Sequence, residues 1–194
     1  MNIRPLTLDD YKVAGKIIGA SFAGDPVNDF LLGPQSAITA YNTHIAKILY
    51  LKKGFGHISE NNSGCTLWLP PGVSAQLSLS QMLPVVPALV RHSGLKRLIR
   101  ALPAEDEIAH HRPSEPFYYL YAIGNTPENI GKGIGGKLLK AGLDIADKNA
   151  MPVYLECSKK ENILFYRKYG FEVIGECTPV KGCPPEWLML RPTQ

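Results

Sequence analysis

The 194-residue sequence predicts an α+β fold, a mixed and twisted central sheet of about six or seven strands with helices on both faces. Three observations carry this. Residues 117–157 read as strand, long helix, strand, an order that implies a locally parallel pair. Residues 55–69 read as two strands around Asn61-Asn62-Ser63-Gly64, a turn-forming run suited to an antiparallel hairpin. Beyond residue 160 a short helix is followed by two closing strands, so both kinds of pairing are expected in one sheet. The length suits a single domain over 1–194, large enough for a core without disulfide or metal staples.

In chain order, a short strand at about 2–6 leads into a helix that Thr7 can cap ahead of Asp9 and Asp10. Leu8, Tyr11, Ala14, Ile18 and Phe22 recur there at helical spacing. Gly24-Asp25-Pro26 and Gly33-Pro34 read as turns, and a second helix is expected over about 36–52. The hairpin strands follow, at about 55–60 and 65–69. Residues 70–116 are broken by prolines and read as short helices. Phe117–Ile123 is an aromatic-rich strand, followed by a polar loop over Gly124–Ile130. A helix at about 134–149 carries Leu138, Leu139, Leu143, Ile145 and Ala146 as its buried stripe. Val153–Cys157 is a strand, about 161–169 a helix, and Phe171–Cys177 and Trp187–Leu190 the closing strands.

Composition narrows the function classes. A net charge of +4 is too small to argue for nucleic acid. No apolar run reaches the ~18–20 residues of a membrane span. Met1-Asn2-Ile3-Arg4-Pro5 lacks the apolar stretch of a signal peptide. Cys65, Cys157, Cys177 and Cys183 show no CxxC spacing and no nearby His pair, so they read as free thiols of a reducing cytoplasm, with no metal. The positive surplus falls within 131–170, where a solvated helix face and a polyphosphate site are both compatible with the charge.

Gly131-Lys132-Gly133-Ile134-Gly135-Gly136-Lys137 holds three overlapping glycine patterns. As GxxxxGK it nearly makes a P-loop, but Leu138 stands where a Mg²⁺-binding Ser or Thr belongs. As GxGxxG (Gly131, Gly133, Gly136) it resembles a dinucleotide fingerprint, yet Asn125-Thr126-Pro127-Glu128-Asn129 separates it from the preceding strand. The remaining reading needs no repair. A glycine-rich turn opens straight into a helix, whose free N–H groups and dipole can hold a pyrophosphate.

With the residues of that loop in view, Leu120 through Gly135 resembles the strand–loop–helix CoA motif of the GNAT acetyltransferases. Asn162-Ile163-Leu164-Phe165-Tyr166-Arg167-Lys168-Tyr169-Gly170-Phe171 resembles that family's second signature. With Leu67-Trp68-Leu69-Pro70-Pro71-Gly72 and Leu155-Glu156-Cys157-Ser158, the chain is most similar to the puromycin-acetyltransferase-like branch. The resemblance is strong over about 117–177, patchy over 1–72 and thin over 73–116. Ile130 stands where the family usually has Gln or Arg, and Asn125 where its strand usually ends apolar.

The resemblance implies an N-acetyltransferase that moves the acetyl group of acetyl-CoA directly to an amine, on a small molecule or a peptide. Backbone groups of Ile123, Gly124 and Asn125 would pair with the pantetheine arm, and Gly131, Lys132, Gly133, Ile134, Gly135 and Gly136 would cradle the pyrophosphate. Asn162 would hold the CoA arm and Tyr166 would protonate the leaving thiolate; four residues apart, they share a helix face. Without the signature, Asn162 reads as a cap and Tyr166 as core. The amine must lose a proton. Glu156 is the first choice of base, against a structural carboxylate paired with Arg; His110 and His111 or an ordered water are the others. Asp25, Asp29 and Glu105-Asp106-Glu107 could attract a cationic amine. A non-catalytic acyl-CoA-binding module on the same fold and a nucleotide-binding protein using 131–137 are the rival readings. Neither nucleic acid nor membrane is expected as a partner, and the oligomeric state stays open between monomer and homodimer.

Overall fold

Strand alternation and turn chemistry lay out the sheet. The computed structural model describes residues 2–194. It contains β1 (Ile3–Pro5), β2 (Phe55–Ser59), β3 (Gly64–Leu69), β4 (Tyr118–Asn125), β5 (Val153–Cys157), β6 (Glu172–Cys177) and β7 (Glu186–Arg191). They form one seven-stranded sheet in the order β1-β2-β3-β4-β5-β7-β6. The β4–β5 pair is parallel, and the other neighbouring pairs are antiparallel. The mixed sheet and its parallel pair agree with the sequence-based expectation.

Helices cover both faces. On one lie α1 (Tyr11–Ser21) and α3 (Gln35–Ile45), the latter continuing through a π-helical stretch at Ala46–Tyr50 into α4 (Leu51–Lys53). Ala14, Ile17, Ile18, Ile45 and Leu49 pack there on Ile58, Leu67, Tyr119 and Tyr154. Leu8 lies outside this stripe at 47% exposure, because it belongs to a preceding 3₁₀ turn. On the other face lie α9 (Ile134–Lys148) and α10 (Ile163–Arg167), where Leu139, Leu143 and Ala146 meet Trp68, Leu120, Leu155 and Tyr166. Gly142 permits this packing, since a Cβ there would run into the Trp68 indole.

Three local features depart from the expected elements. A helix α2 (Pro26–Leu31) fills the stretch read as turns, with Pro26 at its start and Asp25 accepting from Asn28 N at 2.9 Å. Strand β4 runs to Asn125, two residues beyond Ile123, because Gly64 and Cys65 of β3 pair with Asn125 and Gly124. Residues between β3 and β4 form α5 (Leu79–Met82), α6 (Val86–Ser93), α7 (Leu95–Ala101) and α8 (Ala104–His110), the short helices that the proline spacing implied.

One irregularity positions the site. Leu67 pairs with Ala122 but Trp68 pairs with Leu120, so Tyr121 is the extra residue of a β-bulge. The bulge puts Tyr121 and Ala122 together on the α1 side, while Leu120 and Ile123 face α9. Strong local twist follows. β4 keeps its partner β5 only at Tyr118↔Val153 and Tyr119↔Tyr154. Beyond those pairs the two strands separate.

Candidate active site

The separation of β4 from β5 leaves backbone N–H and C=O groups on the facing edges without a ladder partner, which is costly unless something else satisfies them. Ile123, Gly124 and Asn125 lie on this stretch of β4, beyond its last pairing with β5. Asn125 Oδ1 is buried and accepts no hydrogen bond.

The helix α9 starts next to this opening. Gly131 and Gly133 have φ of 80° and 73°, the left-handed region that favours glycine, so the loop turns sharply into Ile134. Gly133 is the N-cap and no side chain caps the first turn, which also contains no acid. Its N–H groups therefore remain available as donors, and the helix dipole favours an anion there. Lys132 and Lys137 are exposed on either side, Lys132 donating to Asn129 Oδ1 at 3.1 Å. Gly135 faces Asn125 and Ile123 of β4 and Phe165 of α10, joining loop, strand and second signature in one place. Ile130 is 69% exposed and offers no side-chain donor.

Across the opening, Asn162 ends a 3₁₀ turn and is the N-cap residue of α10; its side chain is exposed and makes no hydrogen bond among the described residues. Tyr166, one turn on, is buried between the edges of Phe165 and Phe171. Burial first, then the neighbouring Cys157, raises its phenol above the ordinary value, so it holds its proton. The helix thus carries a free amide and a protonated hydroxyl in register.

The opposite sheet face carries a carboxylate cluster. By strand alternation Tyr154 and Glu156 of β5, and Glu186 and Leu188 of β7, face the α1 side. Arg112 Nε donates to Glu156 Oε1 at 3.0 Å, and its Nη1 to Glu105 Oε1 at 2.7 Å. Its guanidinium lies 4.7 Å over the Tyr119 ring. Glu156, the first choice of base from sequence, is therefore held in an ion pair with a side-chain exposure of 7%. Asp25 is buried, capping α2 and accepting from the Ser158 hydroxyl. Asp29, His110 and His111 stay on the surface, His111 Nε2 lying 3.6 Å from Glu107 Oε1. Arg112 also lines a pocket of about 190 Å³ with Val73, Gln76, Ala109, Phe117 and Tyr119.

Two members of this face escaped the sequence reading. Arg112 looks like one more surface base in a loop, and Glu186 follows Pro184-Pro185 directly ahead of the expected strand. The alternation Glu186-Trp187-Leu188-Met189-Leu190 contains the missed signal: it places Glu186 in phase with inward-facing Leu188. Separately, Glu107, His111 and Cys177 bring ligand-type atoms within 4.8 Å of one another. Burial raises the Cys177 thiol to about 11.

No family model matches the chain. An uncharacterized N-acetyltransferase of Schizosaccharomyces pombe is 25% identical over 190 residues, a match covering 84% of this chain and 70% of that protein. Among solved structures, the histone acetyltransferase HPA2 and related acetyltransferase of Corynebacterium glutamicum is similar with a TM-score of 0.73 at 22% identity, covering 100% of this chain and 96% of that one. Arylalkylamine N-acetyltransferase 2 of Aedes aegypti is similar with a TM-score of 0.66 at 13% identity, each chain covered over 100% of its length. The splayed strands, the uncapped glycine turn and these likenesses agree on one architecture: the chain has the fold of the GNAT-type N-acetyltransferases.

Proposed function

We propose that the protein is an acetyl-CoA-dependent N-acetyltransferase acting by direct transfer on an amine, a small molecule before a peptide. The observation that carries this is the opening of β4 from β5 immediately beside the uncapped first turn of α9. An amide-bearing arm can add to the β4 edge as a strand does, at Ile123, Gly124 and Asn125. The donors from Gly131 to Gly136, with Lys132, receive the pyrophosphate. Asn162 holds the arm, and the protonated Tyr166 gives its proton to the departing thiolate. A β4 N–H directed at the thioester carbonyl stabilises the charge that develops on its oxygen.

The amine enters from the carboxylate-lined face, past the Arg112 pocket. Glu156 is engaged by Arg112 and shapes that wall. The likeness of Leu67–Gly72 and Leu155–Ser158 to the puromycin-acetyltransferase-like branch supports a small-molecule acceptor. A cytoplasmic location suits four free, buried thiols. No helix among the described residues is long and apolar enough to cross a membrane.

Thermal shift with acetyl-CoA, ATP and NAD tests the ligand, since a molecule bound only by the folded state raises its melting temperature. Acetyl-CoA is expected to stabilise; stabilisation by ATP or NAD alone overturns the reading. Release of free CoA thiol across arylalkylamines, polyamines, aminoglycosides, amino acids and peptide N-termini then tests transfer. Exposed Ile130, which lacks the side-chain donor, favours a second reading: an acyl-CoA-binding module without turnover. Acetyl-CoA affinity with no thiol release on any amine would establish it.

A further inference from the structure

Glu186 stands out among the carboxylates. It is 9% exposed, and its Oε2 is buried without a hydrogen-bond partner. A second orphaned oxygen, Tyr154 Oη, lies on the same sheet face. Leaving a buried acceptor unsatisfied costs free energy that a hydrogen-bond donor from a ligand would recover. Glu186 is also well placed. Trp187 pairs with Cys157, the last residue of β5, so Glu186 sits one step beyond, at the end of the sheet where β4 and β5 have parted. The salt-bridged Glu156 is two residues back along the same face.

We propose that Glu186 is the group that receives the acceptor's ammonium and takes its proton. This rests on the acetyltransferase reading above. The ammonium N–H donates to Oε2, and the proton passes to the carboxylate. The nitrogen lone pair forms the C–N bond to the thioester carbonyl; as the C–S bond breaks, the thiolate takes the Tyr166 proton, and the second N–H proton of the adduct is lost to water, which restores the Tyr166 phenol. The Glu186 proton leaves to solvent after product departs.

The surroundings suit that role. Asp25 at the start of α2, Glu105 of α8 and Glu156 of β5 provide three more carboxyls; Arg112 bridges Glu105 and Glu156, while Arg100 of α7 and Lys159, which donates to Ala23 O at 3.4 Å, are further cations on that side. This field attracts a cationic amine and disfavours one that carries its own carboxylate. Burial, followed by the charges of Glu156, Asp25 and Glu105, pushes the Glu186 carboxyl up to about 8, against the opposing pull of Arg112. A base with that value matches deprotonation near neutral pH. Burial raises the thiols of Cys157, Cys177 and Cys183 to about 11, and it raises the phenols of Tyr121 and Tyr154 beyond their ordinary value. Those groups keep their protons across the same window.

The test is Glu186→Gln, which keeps the shape and removes the base, with phenethylamine and cadaverine as acceptor probes alongside the best amine of the turnover panel. Acetyl-CoA binding, read by thermal shift, is expected to stay within about twofold. kcat/KM for the amine is expected to fall by about 10²–10⁴-fold. The rise of wild-type kcat/KM with pH, centred near 8, should flatten in the variant. Glycine, which carries a carboxylate, should be a poorer acceptor than phenethylamine. A folded Glu186→Gln enzyme that retains the wild-type pH limb overturns this assignment while leaving acetyl transfer intact. A wild-type protein that acetylates no amine overturns the parent reading instead. If Glu186→Gln does not fold, ¹³C carboxyl NMR of wild type with and without phenethylamine decides. A carboxyl titrating near 8 that shifts with the amine supports the role, and its absence refutes it.

Discussion

The segment from β4 to α10 and the run of helices from α5 to α8 are built on opposite terms. The first holds a 15-residue helix whose Leu138, Leu139, Leu143 and Ala146 are buried against the sheet. The second is made of helices four to eight residues long, which bury Leu89 and Ala104 but leave Leu79, Leu83, Leu95, Ile99 and Leu102 exposed. Helices that short are marginal by themselves and depend on what they lean against. Yet the second region supplies Ala109 to the pocket lining and Glu105 to the carboxylate cluster. In the proposed reading, a rigid half grips the invariant part of the donor and a lightly anchored half meets the acceptor. Acceptor choice can then change without disturbing the core.

The largest expected effect lies in the rigid half. Tyr166→Phe keeps the ring between Phe165 and Phe171 and removes the proton, so packing should change little. Single-turnover acetyl transfer should slow by about 10²–10⁴-fold with acetyl-CoA affinity near normal. An unchanged single-turnover rate in a folded variant would return Tyr166 to a packing role.

Next comes stability. Leu139→Ala removes a fully buried side chain of α9 and should cost about 2–5 kcal/mol in urea denaturation. A loss below about 1 kcal/mol would mean that α9 is not the anchor that its burial implies. A smaller, more selective loss is expected at the glycine turn. The nearest atom to a Cβ at Gly135 would be Asn125 Nδ2, at 3.3 Å, so Gly135→Ala should fold. Acetyl-CoA affinity should nevertheless drop by about tenfold, roughly 1.4 kcal/mol, as measured by calorimetry. Equal losses of affinity and stability would make the turn merely structural.

The smallest effect belongs to the other half. Ile99 is 57% exposed, so Ile99→Ala should shift stability by no more than about 0.5 kcal/mol. A shift several times larger would show that this apolar surface is covered in solution, and would erase the contrast between the halves.

The legibility of the site followed the same division. The geometry at Gly131–Gly136, Asn162 and Tyr166 was visible because it depends on residues near in sequence: a positive φ, a helix start, a four-residue spacing. The helix over 134–149 and the parallel pair were visible because hydrophobic period and element order encode them locally. Helix α2 was not, since it is six residues long, buries Val27 alone, and its Gly and Pro flanks look like turns.

By itself, then, the sequence determined the mixed sheet, the flanking helices and the glycine turn that opens α9. Only the tertiary structure decided the carboxylate face. Arg112 meets Glu156 across 44 positions, and Ser158 meets Asp25 across 133. The Tyr121 bulge becomes apparent only when β3 is laid against β4, and the alternation that puts Glu186 in phase with Leu188 does not say which carboxyls will surround it. Local geometry follows from torsional and periodic preferences carried by each residue and its near neighbours. Whether a carboxylate is paired, capped or left orphaned depends on which distant groups the folded chain brings to it, and no local pattern records that.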